Sequence, residues 1–171
     1  MKSLTTTNSR KLTHFFAALL IVTALLTSPV GSSIAAGPTP SDVAVIVHPK
    51  VGVDNLTLPD LRKVLMGERQ FWTSNMRVTL LIRAPVARER DVVLKKIYQM
   101  TEAQFRKYWA EKILQGTTAG PRFVYSNQTA TELVSKLEGC IAFVDASQVP
   151  KGVKVLKIDG KSPGDKGYVL Q

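Results

Sequence analysis

The sequence predicts an α/β fold, a mostly parallel sheet flanked by helices, and two observations carry that prediction. Apolar runs of strand length, rich in β-branched residues, recur at residues 43–47, 78–82, 140–144 and 153–158. Between them lie segments with apolar residues at helical spacing, most of them opened by a threonine cap and closed by a glycine. Strands that alternate with helices favour a layered α/β architecture in which most strands run the same way.

The chain opens on a segment that does not belong to that fold. Residues 15–26 (FFAALLIVTALL) form an apolar run behind Arg10 and Lys11, followed by Pro29-Val30-Gly31 and the small-x-small site Ser33-Ile34-Ala35. A hydrocarbon core needs about 20 apolar residues, so the run reads as a cleavable export signal over residues 1–35, cut at Ala35 or Ala36. An uncleaved N-terminal anchor is the alternative. Residues 36–41, with Gly37, Pro38 and Pro40, read as a short tether, and 42–171 as one domain. The full chain carries a net charge of +10, which falls to +7 when Lys2, Arg10 and Lys11 leave with the signal. Such an excess suits anionic ligands or an anionic surface, while export argues against nucleic acid as a partner.

Within the domain, Val43-Ala44-Val45-Ile46-Val47 is apolar at every position and predicts a strand buried on both faces. Thr57 and Asp60 then open a helix over residues 58–66, with Leu56 and Leu61 as a hydrophobic staple, Leu61, Val64 and Leu65 as its buried stripe, and Gly67 as its stop. Phe71-Trp72 falls in the loop that follows. A second strand over 78–82 leads through Arg83-Ala84-Pro85 into a helix over 86–99 whose Val86, Val93, Leu94 and Ile97 share a face. Thr101 with Gln104 forms a capping box for a helix bearing Phe105, Trp109 and Ile113 at spacing four, and the stretch 116–121 breaks it. Thr129 with Glu132 reads as another box, before Leu133, Val134 and Leu137, with Gly139 closing the helix. Strands at 140–144 and 153–158 complete the sheet, and the tail from Gly160 reads as an edge strand or a loose end.

Few residues offer chemistry. His48 is the one histidine after the signal and Cys140 the one cysteine, ninety-two positions apart, so no metal constellation is visible. Cys140 lies in an apolar run without a nearby cation, which predicts a buried thiol; a reactive thiol is the alternative. No Gly-x-Ser-x-Gly elbow, nucleotide-type glycine loop or facing carboxylate pair occurs, so the chain does not read as an enzyme and no cofactor is expected. The junction Arg83-Ala84-Pro85-Val86-Ala87-Arg88-Glu89-Arg90 is the segment that invites a ligand. A helix start at the carboxyl end of a strand is a natural anion seat, and Arg83, the Ala87 backbone and Arg88 would supply it. A solvated basic face, neutralised by Glu89 and Asp91, is the alternative. Phe105 and Trp109 suit the core better than a ligand platform.

The order of these elements resembles the phosphate-type periplasmic solute-binding proteins of ABC transporters. Leu61-Arg62-Lys63-Val64-Leu65-Met66-Gly67 followed by Trp72 is similar to their Leu-x-x-Ile-Phe-x-Gly…Trp segment, and Gly139-Cys140-Ile141-Ala142-Phe143 to their Gly-x-Ile-Gly-Tyr segment. The resemblance covers most of residues 43–157 and implies a single lobe of the type II periplasmic-binding-protein fold. The family holds phosphate with an Arg followed, four residues on, by Ser-Gly-Thr. Arg83 matches that Arg, and the Ser-Gly-Thr positions read Ala87-Arg88-Glu89, which removes two hydroxyls and adds a carboxylate.

Two functions follow as expectations. The first is a periplasmic binding-protein-like domain that takes phosphate or another inorganic oxyanion weakly for an ABC-type transport system, with a membrane transporter as partner. The second is a ligand-free envelope protein-interaction module derived from the same fold, motivated by the lost Ser-Gly-Thr, the basic surface and a chain with the material of one lobe.

Overall fold

The computed structural model describes residues 41–171; the expected signal peptide and residues 36–40 of the expected tether lie outside the described residues. The all-apolar first run forms β1 (Val43–Val47), in which every side chain is buried. Val43, Val45 and Val47 enter one core and Ala44 and Ile46 the other, so the strand separates two packed layers.

After the two-residue β2 (Asn55–Leu56), α1 (Leu58–Leu65) starts where Thr57 accepts the Asp60 amide at 3.2 Å, and its stripe Leu61, Val64 and Leu65 is buried. Gly67 then turns left-handed (φ 67°) beneath Trp109, whose ring would lie 3.1 Å from a Cβ at that position. Phe71-Trp72 is not in a loop. It belongs to a small hairpin of β3 (Phe71–Thr73) and β4 (Met76–Arg77), and Trp72 is buried with its indole Nε1 donating to the Gly139 carbonyl at 2.9 Å.

β5 (Thr79–Arg83) leads into α2 (Arg88–Val93), which continues as a π-helical turn over Leu94–Tyr98. The helix begins two residues later than the periodicity predicts, because Val86 takes a left-handed conformation (φ 68°) and Ala87 is extended. α3 (Glu102–Leu114) has the expected reciprocal box between Thr101 and Gln104, and buries Phe105 and Trp109 while Ile113 stays half exposed. The three-residue β6 (Arg122–Val124) follows. α4 (Asn127–Lys136) is capped by Ser126, whose hydroxyl accepts the Thr129 amide at 2.9 Å, so this helix starts three residues before the box expected at Thr129. β7 (Cys140–Asp145) ends in a 3-10 turn over Ala146–Gln148, and the last predicted strand divides into β8 (Lys154–Val155) and β9 (Lys157–Ile158).

The central sheet has the order β6-β5-β7-β1-β8. β5 runs parallel to β6 and β7, whereas β1 is antiparallel to β7 and β8, so four of the five strands point one way. α1, α2 and α3 cover one face and α4 the other. The tail is neither a strand nor loose. Tyr168 and Leu170 are buried, the Leu170 carbonyl accepts the Val43 amide at 2.8 Å, and the Tyr168 hydroxyl donates to the Val43 carbonyl at 2.9 Å. His48 follows β1 directly, its carbonyl accepting the Val51 amide at 2.9 Å, and it is buried with its Nδ1 accepting the Lys50 amide at 3.1 Å.

Candidate functional site

The carboxyl ends of β5 and β7 and the amino ends of α2 and α4 converge on one polar cluster, the usual place for a ligand in an open α/β sheet. Arg83 ends β5 because the strand's apolar run stops there, and its side chain is 12 % exposed. Its Nε lies 3.5 Å from Glu89 Oε2, near enough for an ion pair but outside hydrogen-bond geometry. Glu89, also buried, accepts from Asn127 Nδ2 at 3.0 Å through its other oxygen, and the same Asn127 amide donates to Gln148 Oε1 at 2.9 Å. The cluster thus draws on β5, α2, α4 and the 3-10 turn after β7.

Arg88 reaches across to the start of the domain, where its Nη2 donates to the Ser41 carbonyl. The Ser41 hydroxyl in turn donates to Asp145. Burial pushes the Asp145 carboxyl up, but hydrogen bonds from Ser147 and Ser41 and the nearby Arg88 charge outweigh it and hold the group below the usual carboxylate range. The Ala87 amide donates to the Ala84 carbonyl at 3.3 Å, closing the turn that contains Val86.

Arg90, which the junction also contains, is spent on structure. It is 1 % exposed, its Nη1 donates to the Arg83 carbonyl at 2.8 Å, and its Nε and Nη2 grip the Glu102 carboxylate at 2.8 and 3.0 Å. The Phe105 and Phe123 rings lie 4.7 and 5.3 Å from its guanidinium carbon. These bonds fix the end of β5, and with it the position from which Arg83 projects.

Several buried polar atoms in the cluster have no hydrogen-bond partner among the described residues: Arg83 Nε and Nη1, Arg88 Nη1 and Asn127 Oδ1. A buried donor left unpaired is costly, so these nitrogens mark a place where an acceptor from outside would be stabilising. The structure brings Arg83 and Arg88 to this end of the sheet, as the sequence predicts. It adds Asn127, Gln148, Asp145 and Ser41, which sequence reasoning missed because nothing local marks them.

The thiol of Cys140 is buried and free, and burial raises its pKa. Among the described residues no group of three or more His, Cys, Asp or Glu side chains could hold a metal ion.

No protein-family model matches the chain. Solved structures with similar folds include a protein described as a phosphate ABC transporter substrate-binding protein with bound phosphate from Clostridium perfringens, with a TM-score of 0.62, 18 % identity, and coverage of 76 % of this chain and 52 % of that one. An ABC-type phosphate transport receptor from Vibrio cholerae has a TM-score of 0.59 at 17 % identity, covering 72 % of this chain and 48 % of that one. PstS from Borrelia burgdorferi has a TM-score of 0.59 at 17 % identity, with 76 % and 54 % covered. The chain spans about half the length of each. It therefore has the fold of phosphate ABC transporter substrate-binding proteins over roughly half of their length.

Proposed function

We propose that the chain is an exported, non-enzymatic binding lobe that takes an inorganic oxyanion, phosphate or sulfate, weakly between Arg83 and Arg88 in a transport-linked system. The observation that supports this reading best is the set of three buried guanidinium nitrogens, two on Arg83 and one on Arg88, that lack a partner among the described residues. Each unpaired buried donor costs about 1–3 kcal/mol, and a tetrahedral oxyanion offers acceptors to all three at once. Arg83 carries the first share and Arg88 the second; Ala87 contributes the turn that sets their spacing. The phosphate-transport neighbours support the same ligand class and a membrane transporter as partner. The apolar run at 15–26 supports export to the periplasm.

Calorimetric titration with phosphate and sulfate, at low and moderate salt, tests the reading. Saturable heat that survives moderate salt and disappears in Arg83→Gln is expected, because screening removes diffuse attraction to a basic surface before it removes a buried contact. Affinity unchanged by Arg83→Gln would sink the assignment.

A second reading is favoured by one observation. The Glu89 carboxylate already accepts from Asn127 and pairs its charge with Arg83 at 3.5 Å, and exposed Val86, Phe123 and Tyr125 lie on the same end of the domain. In that reading the lobe docks an envelope partner and takes no free anion. Complete absence of heat in the wild-type protein, with heat appearing in Glu89→Gln, would favour it.

A further inference from the structure

A second cleft lies at the opposite end of β5 from Arg83. Thr79 and Leu80 at the strand's start line it, about 13 Å from Arg83 at roughly 3.3 Å rise per residue. The cleft has a volume of about 230 Å³ and three arginines on its walls, Arg69, Arg77 and Arg122, with no acidic residue among its lining. Among the described residues none of the three forms an ion pair. Its floor is apolar, formed by Val64, Leu80 and Trp109.

Two of the arginines are held in place by neutral groups. Arg69 donates from Nε to the Phe71 carbonyl at 3.2 Å and from Nη2 to the Trp72 carbonyl at 3.4 Å, with its guanidinium over the Trp72 ring at 5.6 Å. Arg77 donates from Nη2 to Gln70 Oε1 at 3.2 Å, and Gln70 is itself anchored by donating to the Thr117 carbonyl at 2.8 Å. Three guanidinium groups outside any ion pair, around a low-dielectric floor, concentrate positive potential in the cleft. Their planar donor forks suit the oxygens of an anion, and arms already fixed by neutral bonds lose little further freedom on binding.

We propose that this cleft binds a small organic anion, an oxyanion head carried on an apolar body. The arginines take the head, and Trp109, Leu80 and Val64 bury the body. An inorganic ion would leave that floor uncovered, which separates this ligand from the one assigned to Arg83.

Calorimetric titration with phenylphosphate tests the proposal, with inorganic phosphate as the head alone. Saturable binding is expected in the Arg83→Gln protein, from which the other anion seat is removed, and is weakened at least about tenfold when Arg77→Gln and Arg122→Gln are added. Both added substitutions fall on exposed arginines, and an unchanged circular dichroism melt will show that the fold is intact. Inorganic phosphate should compete for the cleft at least about tenfold more weakly than phenylphosphate. No saturable heat up to about 10 mM phenylphosphate, or binding indifferent to the two added substitutions, would overturn the site. Binding lost in Arg83→Gln would overturn it too, by assigning the ligand to the other end of the sheet. Equal competition by inorganic phosphate would overturn the ligand class.

Discussion

Glu89 Oε2 stands 3.5 Å from Arg83 Nε while Glu89 Oε1 accepts from Asn127 at 3.0 Å, so the protein supplies its own carboxylate to the candidate anion seat. The consequence is competition between an internal and an external anion. Two like charges 4 Å apart repel by about 4 kcal/mol at an effective dielectric of about 20, and a third of that is already roughly tenfold in affinity. Glu89→Gln keeps the shape and the Asn127 contact but removes the charge. Calorimetry should therefore show phosphate or sulfate binding at least about tenfold tighter in the variant than in the wild type. Equal affinity in the two proteins would show that Glu89 does not guard the seat.

Val86 is 98 % exposed and sits at φ 68°, a conformation that a β-branched residue adopts only under strain. The strain is worth about 1–3 kcal/mol, against which glycine loses about 0.5–1 kcal/mol of unfolded-chain entropy. Val86→Gly should stabilise the domain by about 1 kcal/mol, raising Tm by roughly 3–5 °C. Since the side chain makes no buried contact, a lower Tm would mean that the loop takes another conformation in solution.

The elements most legible in the sequence are those whose signals are local. All five residues of β1 are apolar, Thr57 and the Thr101–Gln104 pair cap as their spacing implies, and Cys140 is buried as its neighbours suggest. The β3–β4 hairpin and β6 were not legible, because strands of two or three residues carry too little pattern to stand out. At α4 the stretch from Ser126 to Glu132 contains two overlapping caps, and Ser126 wins by starting the helix three residues earlier, which places Asn127 beside Glu89. Arg83 and Arg88 were visible because they share one junction. Asn127, Gln148 and Asp145 were not, since only the sheet order brings their strand ends together.

Gly139 is the residue on which two parts of the fold close. Its φ is 76°, a Cβ there would stand 2.0 Å from the Arg77 carbonyl oxygen, and its own carbonyl accepts the Trp72 indole. The obstructing atom is backbone at the end of β4, so no side-chain rotation can relieve it. Gly139→Ala should cost about 3 kcal/mol or more through overpacking and left-handed strain combined, lowering the urea midpoint accordingly. A midpoint within experimental error of the wild type would show that the hairpin moves freely against β7.

The Arg90–Glu102 pair predicts how the domain behaves in acid. Hydrogen bonds from Arg90, foremost, hold the Glu102 carboxyl below the usual carboxylate range; burial opposes this, and Arg106 adds to it. A carboxyl whose pKa is lowered by folding binds fewer protons in the folded chain than in the unfolded one. Its stabilisation is therefore complete above the unfolded value of about 4.3 and is lost as pH falls through the lower folded value. Glu102→Gln leaves an oxygen to accept from Arg90 but removes the charge, and strands a guanidinium that is 1 % exposed. Breaking a buried pair costs about 3–5 kcal/mol, and because Glu102 is partly open to water about 2–3 kcal/mol is expected at pH 7. Below about pH 4.3 the two proteins should converge, since wild-type Glu102 is then losing its charge as well. Urea midpoints measured from pH 3 to pH 7 test this, and a wild-type advantage that stays constant to the acid end would show that the pair contributes no charge-dependent stability.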